Sequence, residues 1–120
     1  MKRELFAILP VIILVFAVTP ALAHPPESID LSIDSASVLT VSVKHPAKKA
    51  TEHYISKITV ELNGNHIIGQ NFRHQTDLDG QDVYYVVIDA GPGDKLSVTG
   101  ECSIYGNLKV DFAIPAGTGE

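Results

Sequence analysis

Alternation of apolar and polar residues, in short stretches separated by turn-forming residues, dominates the chain beyond its N-terminal segment. A period of two is typical of β-strands that bury one face, and no stretch there shows the helical period. Asn63-Gly64-Asn65 is a hairpin signal because Asn and Gly tolerate positive φ, and Gly91-Pro92-Gly93-Asp94 and Gly106-Asn107 also interrupt the pattern. The stretches predicted as strands are 37–43, 54–62, 66–72, 83–88, 96–102 and 108–114.

The length of 120 residues suits one folded domain. The turn signals recur at the spacing expected of about seven short strands, which predicts an all-β protein with the architecture of a β-sandwich. No internal repeat is visible, and the tail at 115–120 is expected to fray.

The first 23 residues have the pattern of a secretory signal peptide. Met1-Lys2-Arg3 supplies the positive end, residues 5–18 are apolar apart from Pro10, and Ala21-Leu22-Ala23 is a small-x-small cleavage site. The apolar run is short for a membrane span, which needs about 20 residues. We therefore expect an exported protein, periplasmic or otherwise extracytoplasmic, with a signal at 1–23 and a mature domain at 24–120 that begins with His24. An uncleaved signal would instead anchor it in the membrane.

The mature domain is acidic. Without residues 1–23, which hold Lys2, Arg3 and Glu4, the 9 basic and 14 acidic residues of the chain become 7 and 13, a net charge of −6. A domain with this negative net charge lacks the basic surface that binds nucleic acid, and it is not attracted to anionic lipid. A local cluster of lysines at 44, 48, 49 and 57 is the exception.

One cysteine and several histidines are the residues best suited to chemistry. A single cysteine cannot form an internal disulfide, and a free thiol in an oxidising compartment is a liability unless it is buried or metal-bound. A thiolate with imidazoles suits iron or copper better than a hard, oxygen-preferring ion. The candidate ligands are His24, His45, His53 and Cys102. The alternative for Cys102 is a buried, apolar-like side chain.

Two other groups of polar residues are not predicted to bind metal. His66 and His74 are expected to be surface strand residues. The acidic residues at 77, 79 and 82 lack the glutamate and the spacing of a calcium loop, so a solvated turn is expected.

Two segments of the chain resemble a known family. His45-Pro46, followed by Glu52-His53-Tyr54-Ile55 and by Ile-Thr-Val-Glu-Leu-Asn-Gly at 58–64, resembles the iron-binding domain of the superoxide reductases, desulfoferrodoxin and neelaredoxin. Gly93-Asp94-Lys95-Leu96, leading to Cys102-Ser103-Ile104-Tyr105-Gly106, resembles the end of the same domain. His24 precedes His45 by an interval similar to the one that separates the family's first histidine from its His-Pro pair. The resemblance runs from residue 24 to about 110 and implies a seven-stranded immunoglobulin-like β-sandwich.

The resemblance also implies a function. In that family a mononuclear, non-haem ferrous iron is held by imidazoles in the base of a square pyramid and by an axial cysteine thiolate, with one position open to superoxide. By this resemblance His24, His45 and His53 would be equatorial ligands and Cys102 the axial one, and the protein would reduce superoxide to hydrogen peroxide. Because one cysteine cannot build a second, rubredoxin-like centre, the electron would come from a separate donor protein.

The chain departs from the family pattern in three places. Tyr105 stands where the family has a histidine, and it is expected to fill that place as a structural aromatic, with ligation by its phenolate as the alternative. The loop after His45 is longer than in the family and carries Lys48 and Lys49. The family's lysine before the first histidine, which attracts superoxide, is absent because Leu22-Ala23 occupies its place. One of the two loop lysines is expected to supply that positive charge, and the alternative is that both are ordinary solvated side chains.

Two other functions stay open. A copper-binding sandwich would use both the amino group and the imidazole of His24 once the signal is cleaved. A degenerate, metal-free interaction domain is the third reading. For the superoxide-reducing function, which the resemblance favours, the predicted partners are superoxide and a separate electron-donor protein. Association into a homo-oligomer stays open.

Overall fold

The structure, a computed structural model, describes residues 24–116, so the predicted signal peptide at 1–23 lies outside the described residues. Within that range no helix has the length and apolarity needed to cross a membrane. The described chain is all-β. Its strands are β1 Ser28–Ile33, β2 Val38–Lys44, β3 Ile55–Leu62, β4 Asn65–Asn71, β5 Gly80–Val86, β6 Lys95–Cys102 and β7 Asn107–Ala113.

The seven strands form two antiparallel sheets, ordered β1-β2-β5 and β4-β3-β6-β7. This confirms the predicted immunoglobulin-like β-sandwich. In the constant-type immunoglobulin arrangement the fourth strand belongs to the first sheet, whereas here β4 pairs with β3. Asn63 and Gly64 explain the difference, because both adopt positive φ (51° and 88°) and close a tight two-residue hairpin that keeps β4 beside β3.

The core lies between the two sheets and follows the alternation in the sequence. In β2 the side chains of Leu39, Val41 and Val43 are at most 1% exposed, while the residues between them point outward. They pack with buried residues of β3 and β6, among them Ile58 and Leu96. Because each alternate residue of these strands faces the opposite sheet, the apolar stretches specify the register as well as the strands.

The predicted strand bounds agree with the structure to within one residue for β2, β3, β4, β6 and β7. The exception is β5, which was predicted at 83–88 and is found at Gly80–Val86. No position was predicted for β1, although Ile29, Leu31 and Ile33 alternate with polar residues there. The prediction of about seven strands is therefore confirmed, and the seventh is β1.

One end of the sandwich collects several segments that carry candidate ligands. The register pairs the start of β1 with the end of β2, and the end of β2 with the start of β5. It likewise pairs the start of β3 with the ends of β4 and β6. The connections β2–β3, β4–β5 and β6–β7 and the segment before β1 therefore meet at the same end.

Candidate metal site

Three histidine rings converge at this end of the sandwich. His24 lies in the segment before β1, His45 directly follows β2, and His53 precedes β3 by two residues. Their ring centroids are 4.6 to 4.9 Å apart, and the rings are tilted or edge-on to one another. Among the described residues, these three are the group of His, Cys, Asp and Glu whose ligand atoms lie close enough to hold one ion. The structure thus brings together the three histidines predicted from the sequence.

The spacing of the ring nitrogens suits a single metal ion. The candidate ligand atoms lie within 4.8 Å of one another. Three nitrogens around one tetrahedral ion, each at about 2.1 Å, would be about 3.4 Å from one another. An approach of up to about 1.4 Å, within the reach of side-chain rotation, would therefore let all three coordinate together.

His53 provides an independent sign that the cluster is built for a ligand. Its Nε2 atom is buried and has no hydrogen-bond partner among the described residues. A buried polar atom without a partner is costly and rare, whereas a nitrogen lone pair aimed at a metal needs no hydrogen bond. Burial, followed by repulsion from His45 and His24, lowers the pKa of His53. The neutral ring is the form that binds metal, so the surroundings favour the ligand form of this side chain.

His45 forms the floor of the cluster and is fully buried. Its Nδ1 is hydrogen-bonded to Oε1 of Gln75, and its Nε2 lies 3.2 Å from the carbonyl oxygen of His24. Gln75 is itself only 2% exposed, and its Nε2 donates to the carbonyls of His45 and Asp77, each at 3.0 Å. Gln75 could not be identified from the sequence, because a lone glutamine in a loop carries no ligand signal of its own.

The turn before β5 fixes the backbone of the same histidine. The His45 N–H donates to the carbonyl of Asp79 at 2.8 Å. Asp77 stabilises the turn, since its Oδ1 accepts from the backbone N–H groups of Asp79 and Gly80. Asp77 and Asp79 thus belong to a hydrogen-bonded turn at the surface, as predicted, whereas Asp82 lies within β5, where its carboxylate accepts from the hydroxyl of Ser42. His74 is exposed as predicted but lies in the loop after β4, outside any strand.

Cys102 lies at the last position of β6, at the same end of the sandwich. It pairs with Ile55, two residues after His53, and is 8% exposed. The backbone N–H of Ile104 donates to its Sγ at 3.4 Å, a contact that stabilises a thiolate. Its sulfur is outside the group formed by the three imidazoles. The structure therefore places Cys102 at the same end of the sandwich as the cluster but outside the group of three histidines.

An open depression beside His24 and His53 gives access to the cluster. Its apolar wall includes Ile104, and its charged wall includes Lys48, Lys49 and Glu52. Lys49 is ion-paired with Glu52 at 3.8 Å, whereas Lys48 is exposed and has no ion-pair partner among residues 24–116.

Tyr105 does not line this depression, and 66% of its surface is exposed. It follows Ile104, which does line the depression, in the turn between β6 and β7. The structure thus places the isoleucine, and not the tyrosine, beside His24 and His53.

Gly106 holds the His24 segment against the turn that follows Cys102. It adopts φ +88°, and a Cβ there would lie 2.9 Å from Cβ of Pro25. We expect Gly106→Ala to displace Pro25, and His24 with it, and to weaken metal binding by about ten-fold, as loss of a supporting contact does. The measurement is competition for Zn²⁺ with a chromophoric chelator.

Gly93→Ala is the matched control for this variant. Gly93 has nearly the same φ, +89°, and nothing lies within 4 Å of the position that a Cβ would take there. Both variants carry the strain of a left-handed alanine, roughly 1–2 kcal/mol, but Gly93→Ala is expected to keep the wild-type affinity for Zn²⁺. Equal losses of affinity in both would show that Pro25 is not held by Gly106.

Fold and cluster together define this protein as an antiparallel β-sandwich with three histidines placed to bind a metal at one end. Comparison with protein-family models, curated proteins and solved structures found no match to the chain.

Proposed function

We propose that this protein is an exported mononuclear iron protein that reduces superoxide to hydrogen peroxide. His24, His45 and His53 would hold the iron, with Cys102 as a fourth ligand after a local movement of the β6–β7 turn. The observation that carries the proposal is the convergence of three imidazoles, one with a buried Nε2 that has no partner among the described residues, at the end of the sandwich that also holds the chain's one cysteine. When bound, the iron would supply one electron to superoxide, and two protons complete the product.

The protein's own residues suit a small anionic substrate. The depression leads from solvent to His24 and His53, and neutral imidazoles add no charge of their own to the site. Lys48 places a positive charge on its wall within an otherwise acidic domain. Positive charge beside an exposed site raises the rate of capture of an anion, and salt reduces that effect.

The test of this proposal is the colour of the iron-loaded protein and its dependence on Cys102. We expect a visible thiolate-to-iron charge-transfer band in the oxidised protein, and Cys102→Ser should abolish it while leaving the fold intact. Serine keeps the size of the side chain at this buried position. Iron binding with no such band in the wild type would exclude a Cys102 ligand and the proposed activity with it.

The lysines of the depression give a second test, by pulse radiolysis. Lys48→Ala should slow the bimolecular reaction with superoxide by about three-fold at low salt and flatten its salt dependence. Lys49→Ala is the matched control, because its charge is already paired with Glu52 and its loss should have a smaller effect. Identical rate constants for Lys48→Ala and wild type at low salt would remove Lys48 from the mechanism.

A copper site is the second candidate, and one observation favours it. The close group contains the three imidazoles without the sulfur, a nitrogen-only set that copper binds well. The amino group of His24 would be a further ligand if that residue is the first of the mature protein. Placing one glycine before His24 should then abolish tight copper binding, whereas Cys102→Ser should leave it unchanged.

A further inference from the structure

The amide of Gln75 has one orientation that satisfies its surroundings. Its Nε2 donates both hydrogens, to the carbonyls of His45 and Asp77 at 3.0 Å each. A flipped amide would set Oε1 against two carbonyl oxygens, which offer no hydrogen to accept. The Oε1 atom is therefore directed at Nδ1 of His45.

This orientation determines which nitrogen of His45 carries the hydrogen. An amide oxygen can only accept, so Nδ1 must be the donor in this contact. The carbonyl oxygen of His24, 3.2 Å from Nε2, competes for the single hydrogen of the neutral ring. The contact with Gln75 is fully buried, whereas the contact with His24 is only partly buried and open to water, so the hydrogen belongs on Nδ1 and the lone pair on Nε2. Because the pair is fully buried, water cannot replace Gln75 as the acceptor.

We propose that Gln75 is a positioning residue that selects the Nδ1–H tautomer of His45 and thereby directs Nε2 to the metal. The role of this tautomer in binding metal rests on the proposed metal site. The tautomer itself is a property of the metal-free protein and can be measured there. Partners of this kind behind a ligating histidine change metal affinity by about 10- to 100-fold.

The test is the tautomer of His45 in ¹⁵N-labelled, metal-free protein at pH 8, read from long-range ¹H–¹⁵N correlations. The wild type should show the Nδ1–H form alone. Gln75→Leu should show a mixture or the Nε2–H form and should lose about 10- to 100-fold in affinity for Zn²⁺.

Gln81→Leu is the matched control. Gln81 is also buried, at 6% exposure, but its amide group bonds with Thr76 and with no histidine. This variant should lose stability while keeping both the tautomer of His45 and the affinity for Zn²⁺. If it loses as much affinity as Gln75→Leu, the effect is merely structural and the proposal fails.

The remaining outcomes separate this inference from the proposed function. An Nε2–H ring in the wild type, or an unchanged Nδ1–H ring in Gln75→Leu, overturns the role of Gln75. Should Gln75→Leu not fold, the wild type decides, and an Nε2–H ring there contradicts the proposal. A pure Nδ1–H ring in a wild type that binds neither iron, zinc nor copper would support the selection by Gln75 and refute the metal function.

Discussion

His53→Leu is expected to stabilise the metal-free protein and to remove its affinity for metal. The substitution eliminates a buried Nε2 that has no hydrogen-bond partner among the described residues, which should raise the free energy of unfolding by about 1 kcal/mol. It also removes one of three ligands, so Zn²⁺ affinity should fall by at least about 100-fold, the upper end of what loss of an outer partner costs. Urea denaturation and chelator competition measure the two effects.

The same variant should change the pH dependence of stability. The pKa of His53 is lowered in the folded protein, so the unfolded chain takes up a proton first as the pH falls below about 6.5. The metal-free wild type should therefore lose stability from about pH 6.5 downward until the folded-state pKa is passed, and His53→Leu should lose less. His66→Leu is the control, since this exposed ring on β4 lies outside the cluster. A destabilised His53→Leu would show that the Nε2 atom is satisfied in solution.

Gly80→Ala should be among the most damaging single substitutions in the domain. A Cβ at this position would lie 1.9 Å from the carbonyl oxygen of Val43 and 3.2 Å from the backbone nitrogen of His45. The β2–β5 pairing would have to separate, at a cost of about 3 kcal/mol, and the floor of the metal site would move with it. Thermal unfolding and Zn²⁺ affinity should both decline.

Gly91→Ala provides the comparison for this effect. Nothing lies within 4 Å of a Cβ at Gly91, and its φ is not in the left-handed region. Alanine there should leave the free energy of unfolding unchanged or raise it by about 0.5 kcal/mol, because it lowers the conformational entropy of the unfolded chain. Similar melting temperatures for the two variants would contradict the close contact at Gly80.

The alternation in the sequence was enough to predict most of the fold, and it failed where the ladder is irregular. If β3 were regular, the even-numbered residues that include Ile58 and Val60 would all face the core. Tyr54 would then point inward, and Ser56 would be a polar exception among them. In the structure a bulge in β3 between Ile55 and Lys57 changes the parity, so that Ile55 is buried. Periodicity assumes a regular strand, and a bulge adds a residue that only the pairing partner reveals.

The three histidines of the cluster were predicted from the sequence, whereas Cys102 lies outside the group and the residues that support the cluster were not predicted. His45 and His53 stand in recognisable sequence words, and imidazoles are a strong signal for metal. Gln75 and Gly106 act through a hydrogen bond and a close approach, each to a residue distant in the sequence. Contacts of this kind depend on which loops meet at one end of the sandwich, and that is decided by the pairing of the strands.

The prolines that follow His24 have a consequence for how a metal would leave. Pairing with β2 begins at Ser28, extended by one bond from the Glu27 N–H to the Lys44 carbonyl at 2.8 Å. Pro25 and Pro26, with their φ angles fixed by the ring, make the arm before it stiff. Such an arm loses little entropy when it closes, and because Pro26 is buried, the part that can open is confined to His24 and Pro25. Metal release would then follow a local opening of His24 with every strand still paired, and its rate would be independent of the global stability of the sandwich.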